Sequence, residues 1–559
     1  MAVPQGQGTW DYIVVGSGSA GGVLAYRLSA NPRAKVLVLE AGGSDLNPFI
    51  LVPSGIQQLS TRYDWRYEAL PDVSRNGVVD HWAAGKVLGG SSSINGMLWV
   101  RGHSTDYDQW AAAGCAGWAY DDVLPYFQRA ETFEPAKRTP PRYPLRGRSG
   151  PLHVSRSGVS HQVIDRFLDA AHQRGHAMNP DYNGPDQEGV SVAQVSQRRG
   201  WRSSVARTYL SRARRRPNVT LVTGAVARRV LFDGRRAIGV EYERGRELRR
   251  ALCSREVILA AGTLASPKLL MLSGIGPADE LRAHGIEVLV NSPGVGQNLH
   301  DHAYVAMLYA VNVPTLNRDL TIAKVIKHGL NYALRGKGAI SSTFAHALLF
   351  GRLPGSTRPD YEITYSALGV QGKAGQRGVS DDQYLHDVHE MRLMNTSAVT
   401  IMPSIVHPVA RGSVGLRSHD PDDGPLIRYS LLGKEEDEIA LRRACMVVRD
   451  VMSAPAIAPL VVDETLPGQS VRTDDQWGSF LHKYSFRGEH PVGTCRMGID
   501  DGAVVDPQLR VRGVTNLRVV DASVMPTIVS GNTNAAAIMI GERASDLIEA
   551  EPEPPEPGT

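Results

Sequence analysis

The first forty residues alternate between short apolar runs and small polar residues in the order of a β-α-β unit. Tyr12 to Val15 is an apolar run that predicts a strand, and Gly22 to Leu28 has the spacing of a helix. A turn of small residues, Gly16 to Gly22, lies between them, and Val36 to Leu39 predicts a second strand. A parallel sheet is therefore expected to begin here.

Two similar strand patterns recur far along the chain, at Val257 to Ala261 and at Leu517 to Val520. Each runs directly into a turn of small residues, as the first strand does. We expect both in the same sheet as the N-terminal unit, so that one domain is assembled from separated segments. No internal repeat accompanies these patterns.

Length and composition favour a large globular protein. A chain of 559 residues exceeds what one hydrophobic core usually holds and predicts two domains or more. Hydrophobic residues make up 42% and charged residues 21%, which excludes general disorder. The acidic, proline-rich tail 549–559 is predicted to be disordered.

Charge and cysteine usage exclude several functional classes. The net charge of +4 is scattered and gives no basic stripe for nucleic acid. The arginines at 212, 214, 215 and 216 are interpreted as a solvated helix end. Four separated cysteines without a CxxC pair argue against a zinc site and a disulfide framework, and favour a reducing, cytoplasmic compartment. Without 18 consecutive apolar residues or an apolar leader, no membrane span is expected.

The turn after the first predicted strand reads GSGSAG, from Gly16 to Gly21. In this GxGxxG pattern Gly16 permits the tight turn, Gly18 lets the backbone approach a pyrophosphate, and Gly21 lets helix and strand pack closely. Glu40 ends the next strand, where it would accept hydrogen bonds from an adenosine ribose. The pattern predicts dinucleotide binding, and leaves NAD and FAD as alternatives.

Six longer segments decide between these cofactors. They begin at Gly85 (GKVLGGSSSINGMLWVRG), Gly262 (GTLASPKLLMLSGIG), Gly294 (GVGQNLHDH), His490 (HPVGTCRMG), Arg518 (RVVDAS) and Asn532 (NTNAAAIMIGERASDLI). Together they resemble the patterns of the glucose-methanol-choline oxidoreductase family over nearly the whole chain. A NAD-dependent dehydrogenase would leave them unexplained.

The resemblance implies an α/β fold, α+β overall. A Rossmann-like FAD-binding domain is expected from the segments 8–155, 206–315 and 486–548. A second, substrate-binding domain, built on an antiparallel sheet with helices, is expected from 156–205 and 316–485.

The resemblance also implies how FAD is held. The loop from Gly89 to Asn95 is expected to wrap the flavin and pyrophosphate, Val226 to hold the adenine edge, and Asp521 with Ala522 to meet the pyrophosphate and ribitol. The implied cofactor-binding residues are Gly16, Ser17, Gly18, Ser19, Ala20, Gly21, Glu40, Ala41, Gly85, Val87, Gly89, Gly90, Ser91, Ser92, Asn95, Gly96, Met97, Val226, Asp521, Ala522, Asn534 and Ala535. Some members attach FAD through a histidine where this chain has Ser93, so noncovalent FAD is predicted.

Oxidation of an alcohol requires loss of the hydroxyl proton and transfer of a hydride from carbon to flavin N5. Two residues are predicted to catalyse it. His490 opens the segment where the family places its active-site histidine, and a neutral imidazole is a suitable base. Asn532 occupies the partner position; its amide N–H can donate to the alkoxide oxygen. Asn534 would point to the opposite side, nearer the flavin, if the chain there is extended.

The substrate is expected to be a primary alcohol on an aromatic or furan ring, as in the hydroxymethylfurfural and aryl-alcohol oxidases of the family. Oxygen or another acceptor would reoxidise the flavin. Substrate contacts are predicted from Thr343, Phe344, Glu362, Tyr365 and Glu489, and from a loop near Tyr384 to Met394.

Other functions remain open at this stage. A choline-type or other polar-alcohol dehydrogenase is one alternative, although Thr343 or Ser342 stands where a choline-binding carboxylate is expected, and Glu489 where choline enzymes tend to have an aromatic residue. Glu489 could recruit an amino-bearing substrate or raise the pKa of His490. A hydroxynitrile lyase with structural FAD is the alternative from another class. The triplet from His300 to His302 is assigned to the cofactor loop, and no metal site is predicted.

Overall fold

The computed structural model describes residues 9–59, 61–135, 143–319, 322–371 and 392–551. A seven-stranded sheet collects strands from distant parts of this chain. Its parallel neighbours, in order, are Val219–Thr223, Val36–Glu40, Trp10–Val15, Glu247–Leu259 and Leu517–Val519. Arg236–Arg244 and Ala225–Asp233 extend the sheet in antiparallel pairing. The predicted β-α-β unit and the two distant strands are confirmed.

Apolar runs form this sheet because it is covered on its faces. All five residues of the strand Val36–Glu40 are buried, as expected for a parallel strand with helices over it. The helices Gly21–Leu28 and Asn534–Glu549 pack together, and Arg27 Nε donates to Glu542 Oε2 at 2.7 Å. Each fully buried Val or Leu contributes about 1.5–3 kcal/mol to the stability of the fold. This packing therefore holds the first helix in place, and with it the glycine turn that precedes the helix.

An eight-stranded antiparallel sheet forms the second domain. Its main order is Val461–Leu466, Met307–Val311, Ala398–Ile405, Tyr361–Ser366, Ala347–Gly351 and Gly189–Val192. Ala303–Val305 pairs with Ala398–Ile405 and with Ser485–Arg487. The predicted antiparallel second sheet is confirmed, and the helix Glu435–Met452 packs on it.

The remaining elements are short connections and covering helices. The other helices are Pro48–Leu51, Ser104–Ala112, Tyr120–Ala130, Gln162–Gln173, Ser211–Ala213, Ala265–Leu272, Ala278–Ala283, Ile322–Arg335 and Asp474–Tyr484, with a π-helix at Ala206–Leu210. The 3-10 helices are Pro53–Gln58, Thr61–Tyr63, Val73–Arg75, Gly90–Ser93, Leu316–Asp319, Ala339–Ser341, Ala458–Leu460 and Ala522–Val524. The small strands are Tyr67–Glu68, His81–Trp82, Glu131–Glu134, Leu152–Arg156, Gln194–Val195, Gln197–Arg198, Trp201–Arg202, Ile275–Gly276, Val290–Asn291, Val370–Gln371, Arg392–Leu393, Ser413–Gly415 and Leu426–Arg428.

Three predictions concerned the bounds of segments: the C-terminal tail, the loop near Tyr384 to Met394, and the two domains. The disordered tail is wrong at its start, because Glu549 ends a helix and Glu551 pairs with Arg518; residues 552–559 lie outside the described residues. Most of the loop near Tyr384 to Met394 also lies outside them, up to residue 391. The domain boundaries stay predictions, although Ala303–Val305 and Met307–Val311, inside the segment 206–315, pair within the second sheet.

The run of arginines from 212 to 216 lies mostly in solvent. Arg212, Arg214 and Arg215 are exposed at the end of a short helix, which confirms the solvated interpretation, whereas the guanidinium of Arg216 lies 4.6 Å from the ring centre of Tyr26. Within the described parts of the chain, no helix is both long and apolar enough to cross a membrane.

Candidate active site

A cavity of about 910 Å³ opens where the two sheets meet the C-terminal segments. Its walls include the glycine turn at Gly16, the strand residue Val226, and both predicted catalytic residues, His490 and Asn532. A single cavity therefore joins the predicted dinucleotide site to the predicted site of chemistry.

The glycine positions of this cavity leave a cradle that side chains would fill. Gly16 has φ +97°, and a Cβ there would lie 2.4 Å from Ala260 O. Gly90 has φ +52°, and its Cβ would lie 2.8 Å from the Cα of Gly18. Two bare backbone segments thus face each other beside the N-terminus of the helix Gly21–Leu28. This geometry fits a pyrophosphate, which binds unpaired N–H groups at a helix start.

Glu40 lies in the cavity wall but is already engaged by the protein. The Ser17 N–H and hydroxyl donate to its Oε2 at 2.9 and 2.6 Å, and the Gly42 N–H donates to its Oε1 at 2.7 Å. Burial raises the pKa of Glu40 against these hydrogen bonds. Glu40 therefore shapes the glycine turn, and its contact with a ribose stays a prediction.

Most predicted cofactor residues line the cavity, and their contact with FAD stays a prediction. Those in its wall are Gly16, Ser17, Gly18, Ser19, Ala20, Glu40, Ala41, Gly85, Gly90, Ser91, Asn95, Gly96, Met97, Val226, Asp521, Ala522 and Asn534. Those outside its wall are Gly21, Val87, Gly89, Ser92 and Ala535. These five are buried within the protein: Val87 and Ala535 are fully buried, and the Ser92 hydroxyl donates to Gly89 O. Their contribution to FAD binding stays a prediction as well.

The C-terminal segment contributes two further groups to this wall. Asp521 accepts hydrogen bonds from the Gly262 N–H at 2.9 Å and from the Ser266 hydroxyl at 2.6 Å. Asn534 accepts one from the Ser19 hydroxyl at 2.7 Å, so its side chain meets the glycine turn, and its place nearer the flavin stays a prediction. The extended chain assumed for it is wrong, because Asn534 begins the last helix.

The two predicted catalytic residues are in direct contact. Asn532 Nδ2 lies 2.8 Å from His490 Nε2. The backbone N–H of His490 donates to Asp301 Oδ1 at 2.8 Å. His490 Nδ1 lies 3.0 Å from Nδ1 of His302. His490 and Asn532 thus meet in the cavity wall, and their catalytic roles stay a prediction.

The hydrogen bonds of His302 determine which nitrogen of His490 is basic. His302 Nε2 lies 3.2 Å from the carbonyl oxygens of both Val406 and Val529, which can only accept, so it carries the proton. In the neutral ring Nδ1 of His302 then accepts, and His490 Nδ1–H must donate to it. His490 Nε2 is left with a free electron pair, directed at the Asn532 amide.

The electrostatic surroundings keep His490 neutral. Burial, and then the neighbouring His302, hold its pKa well below the usual value of 6.5. Burial also lowers the pKa of His302 to about 4. Both rings are therefore uncharged at neutral pH, as a general base and its acceptor partner require.

A buried guanidinium orders the carboxylates near the pair. Arg487 donates to Glu489 Oε1 at 3.0 Å and lies 3.5 Å from Asp301 Oδ2. Glu489 Oε2 also accepts the Ala83 N–H at 3.1 Å. Burial raises the pKa of Glu489 to about 7, although Arg487 opposes this. Glu489 is held by these partners, and burial lowers the pKa of His490, opposite to the shift that a nearby free carboxylate would cause.

Apolar side chains surround the rest of this end of the cavity. The rings of Tyr304 and Phe486 stack at 5.9 Å, and Tyr304 lies edge-on to His490 at 6.3 Å. Phe344 and Met402 pack against the same cluster and line the cavity. We call Tyr304, Phe344, Met402 and Phe486 the aromatic wall.

The predicted substrate contacts divide into two groups. Thr343, Phe344 and Glu489 line the cavity, and their contact with a substrate stays a prediction. Tyr365 does not, because it stacks on Phe167 at 4.1 Å on the opposite face of its strand. Glu362 is fully buried, accepts the Thr364 hydroxyl at 3.2 Å, and is also absent from the wall.

Several residues of the site escaped the sequence analysis. His302 was visible in the NLHDH segment, but its contact with His490 spans 188 positions. Tyr304 and Met402 alternate along strands in a way that also suits ordinary packing. In the part of the chain that the structure describes, no cluster of three potential metal ligands occurs, and His300 to His302 serve the site through Asp301 and His302.

The sequence and the fold of this chain are similar to those of known proteins. Two models of the GMC oxidoreductase family match residues 10–304 and 408–541. The oxygen-dependent choline dehydrogenase of Brucella suis biovar 1 (strain 1330) is 40% identical over 546 residues, covering 96% of this chain and 95% of the relative. Pyridoxine 4-oxidase from Mesorbium loti is 29% identical with a TM-score of 0.85, covering 98% and 100% of the two chains. A formate oxidase variant of Aspergillus oryzae, studied for FAD modification, is 27% identical with a TM-score of 0.89 and coverage of 98% and 99%.

Proposed function

Because the chain belongs to the GMC oxidoreductase family, and is thus an FAD-dependent oxidoreductase of alcohols, we propose that it oxidises a primary alcohol on an aromatic or furan ring to the aldehyde. The observation that carries this proposal is the contact of His490 Nε2 with Asn532 in a cavity bounded by the aromatic wall. The pair supplies the base and the oxyanion donor, and the wall supplies a surface for a flat ring.

The residues act on the alcohol in a definite order. Bound FAD supplies the acceptor for the hydride at flavin N5. When an alcohol enters, its hydroxyl takes the place of the Asn532 amide at His490 Nε2, and the proton passes to that nitrogen. The Asn532 amide N–H then donates to the developing alkoxide, which stabilises its charge. His302 holds the His490 ring throughout, because it accepts the Nδ1 proton.

The aromatic wall favours a ring-bearing substrate. Tyr304, Phe344 and Phe486 offer faces and edges for stacking, worth about 0.5–1.5 kcal/mol for each aromatic pair beyond burial. Glu489, a carboxylate of the cavity wall, already accepts hydrogen bonds from Arg487 and Ala83. Its charge is therefore partly compensated before a substrate binds.

A choline-type alcohol is the second candidate. It is supported by Glu489, which faces the cavity with 28% of its side chain exposed, and by the choline dehydrogenases among the relatives. A quaternary ammonium over the aromatic wall would gain about 0.5–2 kcal/mol from cation–π contact. The two candidates differ in what they require of Glu489.

A substrate comparison separates the candidates. We expect kcat/KM for benzyl alcohol and hydroxymethylfurfural to exceed that for choline at least ~10-fold, a difference of about 1.4 kcal/mol. Cyclohexylmethanol, which has similar size without π faces, is the matched control and should fall between. Glu489→Gln should leave the benzyl alcohol rate within ~3-fold. A preference for choline that this substitution abolishes would instead establish the second candidate.

We also propose that FAD is bound without a covalent link. Ser93 is supported in a structural role, since its fully buried hydroxyl donates to Leu88 O at 2.6 Å. A hydroxyl also lacks the nucleophilic imidazole nitrogen of a histidyl link. Acid precipitation should therefore release all of the yellow colour into the supernatant, as it does for free FAD mixed with a flavin-free protein. Colour that stays in the washed pellet would contradict noncovalent binding.

A further inference from the structure

The loop that carries Asn532 is anchored by a buried carboxylate. The Ser530 N–H donates to Asp106 Oδ2 at 2.7 Å, and the Ser530 hydroxyl donates to Asp106 Oδ1 at 3.0 Å. On the other side, Gln187 Nε2 donates to Ser530 O at 2.5 Å. Ser530 is therefore held at its N–H, its hydroxyl and its carbonyl, two residues before Asn532.

Asp106 is buried more deeply than helix capping requires. It lies in the first turn of the helix Ser104–Ala112, has 1% of its side chain exposed, and also accepts the His103 N–H at 3.0 Å. Burying a carboxylate is costly unless hydrogen bonds or a cation compensate. The Arg358 guanidinium, at 3.4 Å, and the two hydrogen bonds from Ser530 contribute to that compensation.

A second aspartate shows what capping alone looks like. Asp122 occupies the equivalent position of the helix Tyr120–Ala130 and accepts the Ala119 N–H at 3.1 Å. Its side chain is exposed at the surface. The difference between Asp106 and Asp122 is therefore the attachment to the loop.

The loop also fits tightly against the segment that leads to Asp106. Gly531 has φ +130°, and a Cβ there would lie 2.6 Å from Val100 Cγ1. A Cβ on Gly102 would lie 3.0 Å from the Cβ of Val529. Both sides lack room for a methyl group, so the loop packs directly on the segment that leads to Asp106.

We propose that Asp106 is a positioning residue, which fixes the loop 529–532 through Ser530 and so holds the Asn532 amide against His490. The inference rests on the catalytic role proposed for Asn532. It assigns Asp106 no contact with substrate or cofactor. Its contribution reaches the reaction only through the placement of Asn532.

The test compares Asp106→Asn with Asp122→Asn in the FAD-loaded enzyme, using anaerobic flavin reduction by benzyl alcohol. In Asp106→Asn an amide replaces one acceptor oxygen, so we expect the limiting rate of reduction, and its ratio to the apparent Kd of the alcohol, to fall together by ~5- to 10-fold, as for a lost transition-state contact. Reduction by dithionite and FAD content should match those of Asp122→Asn. Equal rates in the two variants would overturn the proposal.

Coupling to Asn532 is the decisive control. If Asp106 acts through Asn532, the double variant Asp106→Asn/Asn532→Ala is no slower than Asn532→Ala alone; multiplied losses would overturn the proposal. A wild-type rate in Asn532→Ala would refute the role of Asn532 and this inference with it. Should Asp106→Asn fail to fold, Ser530→Ala decides: a loss not additive with Asn532→Ala supports the proposal, and a wild-type rate overturns it.

Discussion

Replacing His490 with Ala is expected to slow alcohol-driven reduction of the flavin by at least ~10²-fold, the lower end of what a general base contributes. The expectation rests on the free electron pair of His490 Nε2, which the contacts of His302 and Asn532 direct into the cavity. FAD should stay bound, because its predicted contacts lie in the glycine turns. Stopped-flow absorbance under anaerobic conditions measures the rate.

The pH dependence supplies an independent check on His490. A base must be neutral, and burial lowers the pKa of His490. The acidic limb of the reduction rate should therefore lie below the ordinary histidine pKa of ~6.5, and it should be absent from His490→Ala. Reduction by dithionite is the control for flavin access. Near-normal reduction by alcohol in His490→Ala would remove this residue from the role of base.

Replacing His302 with Phe is expected to slow the same reduction by ~10- to 100-fold, part of the general-base contribution. The substitution removes the acceptor of the His490 Nδ1 proton and the donor to the carbonyls of Val406 and Val529. Without that acceptor, His490 can carry its proton on Nε2, where the base is needed.

His302→Asn is the matched variant for this prediction. Its amide oxygen can stand where Nδ1 stands and accept from His490, so we expect it to retain most of the rate that His302→Phe loses. Both variants should keep their FAD and differ little in Tm. Equal losses in the two variants would contradict the tautomer argument and leave His302 a packing role only.

The first domain could be predicted from the sequence because its evidence is local. The strand Trp10–Val15, the glycine turn and the helix Gly21–Leu28 follow one another, and each has its own pattern. The distant strands Glu247–Leu259 and Leu517–Val519 were found by the same apolar runs. Their place in the same sheet was expected because each runs directly into a turn of small residues, as the first strand does.

The substrate side could be predicted only in part, because a strand pattern does not say which face meets the cavity. Along Tyr361–Ser366, Tyr365 packs toward Phe167, whereas Thr364 faces the cavity. Glu362 shares the face of Thr364 but lies beyond the wall, next to Gly531. The alternation of side chains along a strand assigns each residue to one of its two faces. How far the cavity extends along a face depends on the packing of both domains.

The catalytic contacts show the same limit. His490 and Asn532 were predicted from their motifs, while the partner that fixes the tautomer, His302, was assigned only to a loop near the cofactor. Its role depends on two carbonyl oxygens, of Val406 and Val529, that approach from different parts of the chain. No spacing in the sequence encodes such a convergence.

The central claim is that this chain removes a hydride from the carbinol carbon of an alcohol. The most direct test mixes the yellow holoenzyme anaerobically with benzyl alcohol or its α,α-dideuterated form, and then admits air. We predict that the flavin absorbance bleaches, more slowly with deuterium, and that air restores it with formation of peroxide if oxygen is the acceptor. If neither this alcohol nor hydroxymethylfurfural or choline bleaches the flavin, the claim is contradicted, and a hydroxynitrile lyase with structural FAD becomes the better account.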